Sequence, residues 1–159
     1  MAFFNVFFRT LGFLIGISTF VILLNIFVYV VKDDGENFEF TKGNVNSENT
    51  IATIDLNGPI LHDFNQLLIG NVIEYIDPIR VEKNLLKLKS LNPKILIIRI
   101  NSPGGTVSAT VSLEEIITNF KKDNNIEIYF HSREVLASGG YWIATAGDKI
   151  FANYGSIIG

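Results

Sequence analysis

The chain has 159 residues, 48% of them hydrophobic and 18% charged, with a formal net charge of −3 and no cysteine. This length supports one hydrophobic core and not comfortably two. The charge leaves no basic footprint for nucleic acid, the missing cysteines exclude a disulfide framework or thiolate metal site, and two scattered histidines offer no ligand spacing, so neither metal nor cofactor is expected.

Leu11 to Val31 is a run of 21 residues without a charged side chain, carrying only Ser18, Thr19 and Asn25 as polar ones. As a helix it spans roughly 30 Å, the thickness of a bilayer's hydrocarbon core, so a transmembrane anchor over residues 11–31 is the default reading. A cleavable signal would have a shorter apolar region and a small-x-small cleavage site, where here Tyr29-Val30-Val31-Lys32-Asp33-Asp34 follows. A buried soluble helix, the third reading, would be shorter and bounded by caps. Arg9 lies in the tail of residues 1–10, and beyond the run Lys32 is followed by Asp33, Asp34 and Glu36. Counting basic residues alone puts the amino terminus in the cytoplasm and the rest of the chain on the periplasmic or extracellular side of the cytoplasmic membrane.

Residues 32–50 are rich in Asn, Asp, Glu, Gly and Ser, with Phe38 and Phe40 the only large apolar side chains, and read as a solvated linker. The folded domain is then expected over 51–159, without internal repeats or low-complexity tracts. Ile51 to Leu56 reads as a strand ending at the turn Asn57-Gly58-Pro59. Asp77-Pro78 supplies an N-cap acceptor and a first-turn proline, and Val81, Leu85 and Leu88 recur at helical spacing down to Ser90. Lys94 to Ile100, apolar apart from Arg99, suits a strand covered on both faces. A helix is predicted over Val107 to Lys122, with Lys121 and Lys122 well placed near its carboxyl end. A strand over Ile126 to Phe130, a helix over Gly139 to Ala146 and a strand starting at Lys149 to Ala152 follow. Strand and helix in regular alternation imply right-handed crossovers and a parallel α/β core. Between these elements, Leu61 to Ile76 carries Phe64, Leu67, Leu68, Val72, Ile73 and Ile76, which read as ordinary core or as an apolar lip or self-association surface.

Two segments carry candidate chemistry. In Asn101-Ser102-Pro103-Gly104-Gly105, proline fixes φ and the glycines open backbone conformations closed to other residues, bringing free N–H groups close to a ligand at the start of a helix. Such a loop is either a simple turn or an oxyanion cradle. In Ala137-Ser138-Gly139-Gly140-Tyr141, Ser138 sits between strand and helix with small neighbours on both sides. It is either an N-cap or an accessible nucleophile whose following amide, that of Gly139, faces a developing charge. In a parallel sheet the carboxyl ends of strands share one edge, so the two segments would meet there.

Ile98-Arg99-Ile100-Asn101-Ser102-Pro103-Gly104-Gly105-Thr106-Val107, then Ala137-Ser138-Gly139-Gly140-Tyr141-Trp142-Ile143-Ala144, then Ala146-Gly147-Asp148-Lys149-Ile150-Phe151-Ala152-Asn153, resemble the signal peptide peptidase A family over about residues 51 to 159. That family comprises membrane-anchored serine proteases with a Ser-Lys dyad and a crotonase-like fold shared with the Clp protease proteolytic subunit. The resemblance implies Ser138 as nucleophile, the Gly105 and Gly139 amides as oxyanion donors, hydrophobic peptides such as cleaved signal peptides as substrates, and a homo-oligomer. It also implies a lysine base about fifty residues beyond the serine, past Gly159, so a fragment or truncated reading frame, little active as it stands, is expected. Where relatives have small or apolar residues ahead of the serine, this chain has His131, Ser132, Arg133 and Glu134.

Three bases within the chain deserve weighing. Lys149 follows the serine by eleven residues but matches a family position that is not the base, and is expected as an exposed cation at a strand start. His131 with Asp148 would complete a triad if the loop folded back; a strand-end histidine is the simpler expectation. His62 lies near a turn and is expected to be solvated. Two other readings compete with the peptidase: a noncatalytic membrane-tethered binding or assembly protein of the same fold, and a crotonase-like enzyme acting on acyl thioesters, against which the Ser138-Gly139 context and the anchor argue.

Overall fold

The computed structural model describes residues 2–31, 38–44, 47, 49–62 and 74–159. Two compact units divide the chain, residues 1–34 and 35–159. The first is one helix, α1 (Ala2–Val31), whose stretch Phe4–Ile26 is long and apolar enough to cross a membrane. Three of its polar side chains are returned to the backbone. Thr10 Oγ1 donates to Phe7 O at 2.9 Å, Thr19 Oγ1 to Ile15 O, and Asn25 Nδ2 to Val21 O at 2.8 Å, which lowers the cost of placing them in hydrocarbon.

The second unit runs β1 (Ile51–Asn57), α2 (Pro78–Lys89), β2 (Ile95–Ser102), α3 (Val107–Asn124), β3 (Glu127–Leu136), α4 (Gly139–Ala144), β4 (Lys149–Ala152) and β5 (Ile157–Ile158). All strand pairs are parallel, in the order β1-β2-β3-β4, with β5 alongside the upper end of β3. Local signals set the helix starts. Asp77 accepts from Ile79 N–H at 3.3 Å with Pro78 in the first turn, and Thr106 accepts from Ala109 N–H at 3.3 Å. Asn125, at φ 47°, ends α3 by donating its N–H to Lys121 O.

The core lies on one face of the sheet. Ile54 and Leu56 of β1, Leu96, Ile98 and Ile100 of β2, and Ile128 and Phe130 of β3 are buried with Val81, Leu85 and Leu88 of α2 and Leu113, Ile117 and Phe120 of α3. Each such side chain is worth about 1.5–3 kcal/mol on burial. The expectation that β2 is covered on both faces does not hold among the described residues: Ile95 and Ile97 are half-buried and Arg99 is exposed. Arg99 is instead matched across the sheet, opposite Asp55 in register and ion-paired with it. Phe38, read as part of a solvated linker, packs half-buried against this core, where its ring gains more from apolar contact than from water. Ile76 is buried, while Phe64, Leu67, Leu68, Val72 and Ile73 lie outside the described residues.

Asn84 is the polar intruder on the inner face of α2. It is 7% exposed, its Oδ1 has no hydrogen-bond partner among the described residues, and it lines a notch of about 60 Å³ with Asp55, Asn57, Glu74, Asp77 and Arg80. A buried acceptor without a donor costs about 1–3 kcal/mol. Asn84→Leu, which keeps the same branching and number of side-chain heavy atoms and can expand into the notch, is therefore expected to stabilise the fold by about 1 kcal/mol, read as a higher urea midpoint with unchanged slope. A lower midpoint would mean that the amide is satisfied in solution.

β3 is longer than its apolar run predicts. Ile100 pairs with Ser132 but Ser102 with Leu136, so one residue of β2, Asn101, faces three of β3 and the strand bulges over Arg133–Val135. Two side chains hold the bulge: Asn101 Oδ1 accepts from Val135 N–H at 3.1 Å, and Asn153 Nδ2 donates to Arg133 O at 3.2 Å. The polar run noted ahead of Ser138 is thus an elongation of the strand that ends at the candidate site.

Candidate active site

Because β2 and β3 are parallel neighbours, the loops that follow them emerge together. After β2 the chain passes through Pro103 into Gly104, at φ +98°, and Gly105. The loop is stitched to the segment after β1: Ile60 N–H donates to Gly104 O at 2.9 Å and Thr106 N–H to Ile60 O at 3.0 Å. A Cβ on Gly105 would sit 1.9 Å from Ile60 O, so only glycine fits this approach.

After β3, Ala137 N–H donates to Ser102 O at 3.1 Å and the chain turns sharply at Ser138. Ser138 has φ 51° and ψ −123°, a conformation that costs a non-glycine residue about 1–3 kcal/mol and persists only when the surroundings hold it. Here Ser138 N–H donates to Gly159 O at 2.7 Å, and Ser138 O accepts from Trp142 N–H at 2.9 Å. Ser138 occupies the N-cap position of α4, yet its side chain makes no capping hydrogen bond, and the residue is exposed. The N-cap reading of this serine is therefore not what the structure shows.

The two segments touch. A Cβ on Gly104 would lie 2.8 Å from both Gly139 N and Ser138 Cβ, and one on Gly139 would lie 3.4 Å from Gly105 N. Neither the Gly105 nor the Gly139 N–H donates a hydrogen bond among the described residues. The other side of Gly139 rests on Thr110, 1% exposed, whose Oγ1 donates to Thr106 O at 2.9 Å. Sequence reasoning singled out Ser138, Gly105 and Gly139, whose segments the structure brings together, and gave no part to Ser102 or Thr110, whose contacts with the serine turn span more than twenty residues of chain.

None of the weighed bases reaches Ser138 among the described residues. Lys149 opens β4 opposite Tyr129, its Nζ 5.3 Å from that ring's centre. Tyr129 precedes Leu136 by seven residues of β3, which puts Lys149 about 20 Å from the serine end at roughly 3.3 Å per residue. The paper triad does not form. His131 Nε2 is 3.1 Å from Asn153 Oδ1, while Asp148 accepts from Ile128 N–H at 2.8 Å and pairs with Lys121 at 2.8 Å. His62, expected to be solvated, has Nε2 3.4 Å from Ser112 Oγ.

Lys121, with help from the Ile128 N–H, holds the Asp148 carboxyl below its ordinary pKa. A carboxyl depressed in the folded state stabilises above its unfolded pKa, and that contribution is lost as pH falls below about 4. Asp148→Asn is expected to cost less than about 1 kcal/mol at pH 7, because a third of the side chain is in water, and to flatten the acid limb of stability against pH in urea titrations. An acid limb as steep as that of the parent would place the responsible carboxyl elsewhere.

No family model matches the chain. Among curated proteins, a Na⁺/H⁺ antiporter NhaA of Brucella melitensis is 39% identical over 62 residues, 39% of this chain and 8% of that protein. Protease 4 of Haemophilus influenzae is 35% identical over 66 residues, 42% of this chain and 11% of its own length. A protein named signal peptide peptidase SppA in Enterococcus faecium is 37% identical over 59 residues, 37% of this chain and 17% of that one. The chain thus spans only 8–17% of these relatives. Among solved structures, the 1510-N membrane protease specific for a stomatin homolog from Pyrococcus horikoshii superposes with a TM-score of 0.52 at 17% identity, covering 69% of this chain and 48% of that one, and so shares the fold. The parallel α/β architecture is thus that of a membrane protease of known structure, and the matched stretches of sequence are similar to proteins named Protease 4 and signal peptide peptidase SppA.

Proposed function

We propose that this chain carries the nucleophile and oxyanion hole of a membrane-anchored serine endopeptidase that degrades hydrophobic peptides, such as released signal peptides, outside the cytoplasmic membrane. The observation that carries the reading is an exposed serine, held in a strained turn without a capping role, on a segment that touches the glycine loop, with two N–H groups there that have no acceptor among the described residues. In the proposed reaction Ser138 Oγ bonds to a peptide carbonyl carbon as its proton passes to a base. The carbonyl electron pair moves onto oxygen, where the Gly105 and Gly139 N–H groups hold it. Collapse breaks the C–N bond, the base returns the proton to the leaving amine, and water hydrolyses the acyl-enzyme. The base assigned here is a lysine, and no lysine contacts Ser138 among the described residues; without such a base turnover is expected to be low. Exposed Val107 next to the glycine loop and Tyr141 and Trp142 next to the serine favour apolar substrates.

The reading includes one membrane-spanning helix, an extracytoplasmic domain and assembly into a homo-oligomer. A second reading, a noncatalytic tethered binding protein of the same fold, is favoured by the lack of any base in contact with Ser138 among the described residues. Labelling by a fluorophosphonate separates the two: the peptidase reading requires the label on Ser138 and its loss in Ser138→Ala, whereas label on another residue, or none at pH 9 where hydroxide substitutes for a base, favours the second.

A further inference from the structure

Ser102 closes β2, is fully buried, and is hydrogen-bonded to both halves of the candidate site. Its Oγ accepts from Gly104 N–H at 3.2 Å and its carbonyl oxygen accepts from Ala137 N–H at 3.1 Å, one residue before Ser138. Gly140 packs against the same residue, where a Cβ would meet Ser102 O at 3.1 Å and Ser102 Cβ at 3.2 Å. A Pro-Gly-Gly loop has many backbone conformations open to it, so something must choose one. Here Ser102 Oγ takes the Gly104 N–H and Ile60 N–H takes the Gly104 carbonyl, which fixes the peptide planes on both sides of Gly104. The next donor along the chain, Gly105 N–H, is then the one left free against Gly139.

We infer that Ser102 is the positioning residue of this site: its hydroxyl and carbonyl lock the glycine loop to the serine turn so that the Gly105 N–H, and not that of Gly104, faces Ser138 Oγ. The inference rests on Ser138 as nucleophile for its consequence, but the geometry it claims is measurable apart from chemistry. Glycine-selective ¹⁵N labelling of the full chain in detergent micelles gives one amide signal for each of the 13 glycines. In Ser102→Ala, the Gly104 and Gly105 signals are expected to shift and the Gly104 N–H to exchange with solvent about tenfold faster, while Gly147 and Gly155 stay unmoved. Fluorophosphonate labelling of Ser138 at pH 9 is expected to fall about tenfold. Ser102→Cys, close in size but with a weakly accepting sulfur, is expected to fall between parent and alanine, and decides the matter if the alanine variant does not fold. Unmoved Gly104 and Gly105 signals, or shifts spread evenly over all glycines, overturn the inference. If the parent itself takes no label, the nucleophile reading fails while the amide signals still judge Ser102.

Discussion

Ser138→Ala is expected to remove fluorophosphonate labelling altogether and, in any form of the protein that supplies the lysine base, to lower peptide hydrolysis on the order of a thousandfold or more. The size follows from what the hydroxyl does. In the proposed reaction it is the atom that bonds to the substrate carbonyl, and the two glycine N–H groups would stabilise only a charge that this attack creates. A structural serine would behave differently: losing an N-cap costs about 1 kcal/mol of stability and leaves reactivity alone. Because Ser138 makes no capping bond and is held at φ 51°, Ser138→Ala is expected to leave the urea midpoint nearly unchanged. Hydrolysis that survives the substitution, or a midpoint that falls by an N-cap's worth while labelling persists, would place the nucleophile elsewhere.

Gly105→Ala should have the largest effect on the fold of any change at the site. The added Cβ would lie 1.9 Å from Ile60 O and 2.6 Å from Ile60 C and N, all backbone atoms that no rotamer change can move. The bridge between Ile60 and Gly105 must open, with loss of the hydrogen bonds from Ile60 N–H to Gly104 O and from Thr106 N–H to Ile60 O. Overpacking and two weakened bonds together predict a destabilisation of about 2–4 kcal/mol, along with loss of Ser138 labelling. Gly155→Ala is the matching control. Its φ of +86° is strained for alanine, but no heavy atom lies within 4 Å, so about 1 kcal/mol and unchanged labelling are expected. Equal effects at the two positions would mean that backbone strain, and not the close approach of the Ile60 segment, sets the requirement for glycine at 105.

What the sequence disclosed follows from how local each signal is. Asp77-Pro78 predicts the start of α2 because cap acceptor and proline act within one turn, and the structure shows that cap. The parallel sheet and the meeting of the two loops at one edge follow from alternation of elements and the handedness of crossovers, whereas the strand order came only with the structure. Whether Ser138 caps α4 was not legible, because its conformation is held by partners at positions 159 and 142. The length of β3 was hidden for the same reason. The polar run from His131 to Glu134 ends its apolar stretch, and the side chains that carry the strand through the bulge come from Asn101, 34 residues from its partner, and Asn153, 20 residues from its own. His131 and Asp148 look like triad partners in the linear sequence, but strand register sends them to Asn153 and to Ile128 and Lys121. Ser102 was visible within the glycine motif, yet its role depends on Ala137 and Gly140, which the motif does not contain.

The crystal structure of the chain carrying a fluorophosphonate adduct tests the central claim most directly. The phosphorus should be bonded to Ser138 Oγ and the phosphoryl oxygen should lie about 2.7–3.1 Å from both Gly105 N and Gly139 N. An adduct on another side chain, or one on Ser138 whose phosphoryl oxygen points into solvent away from both glycines, would contradict it.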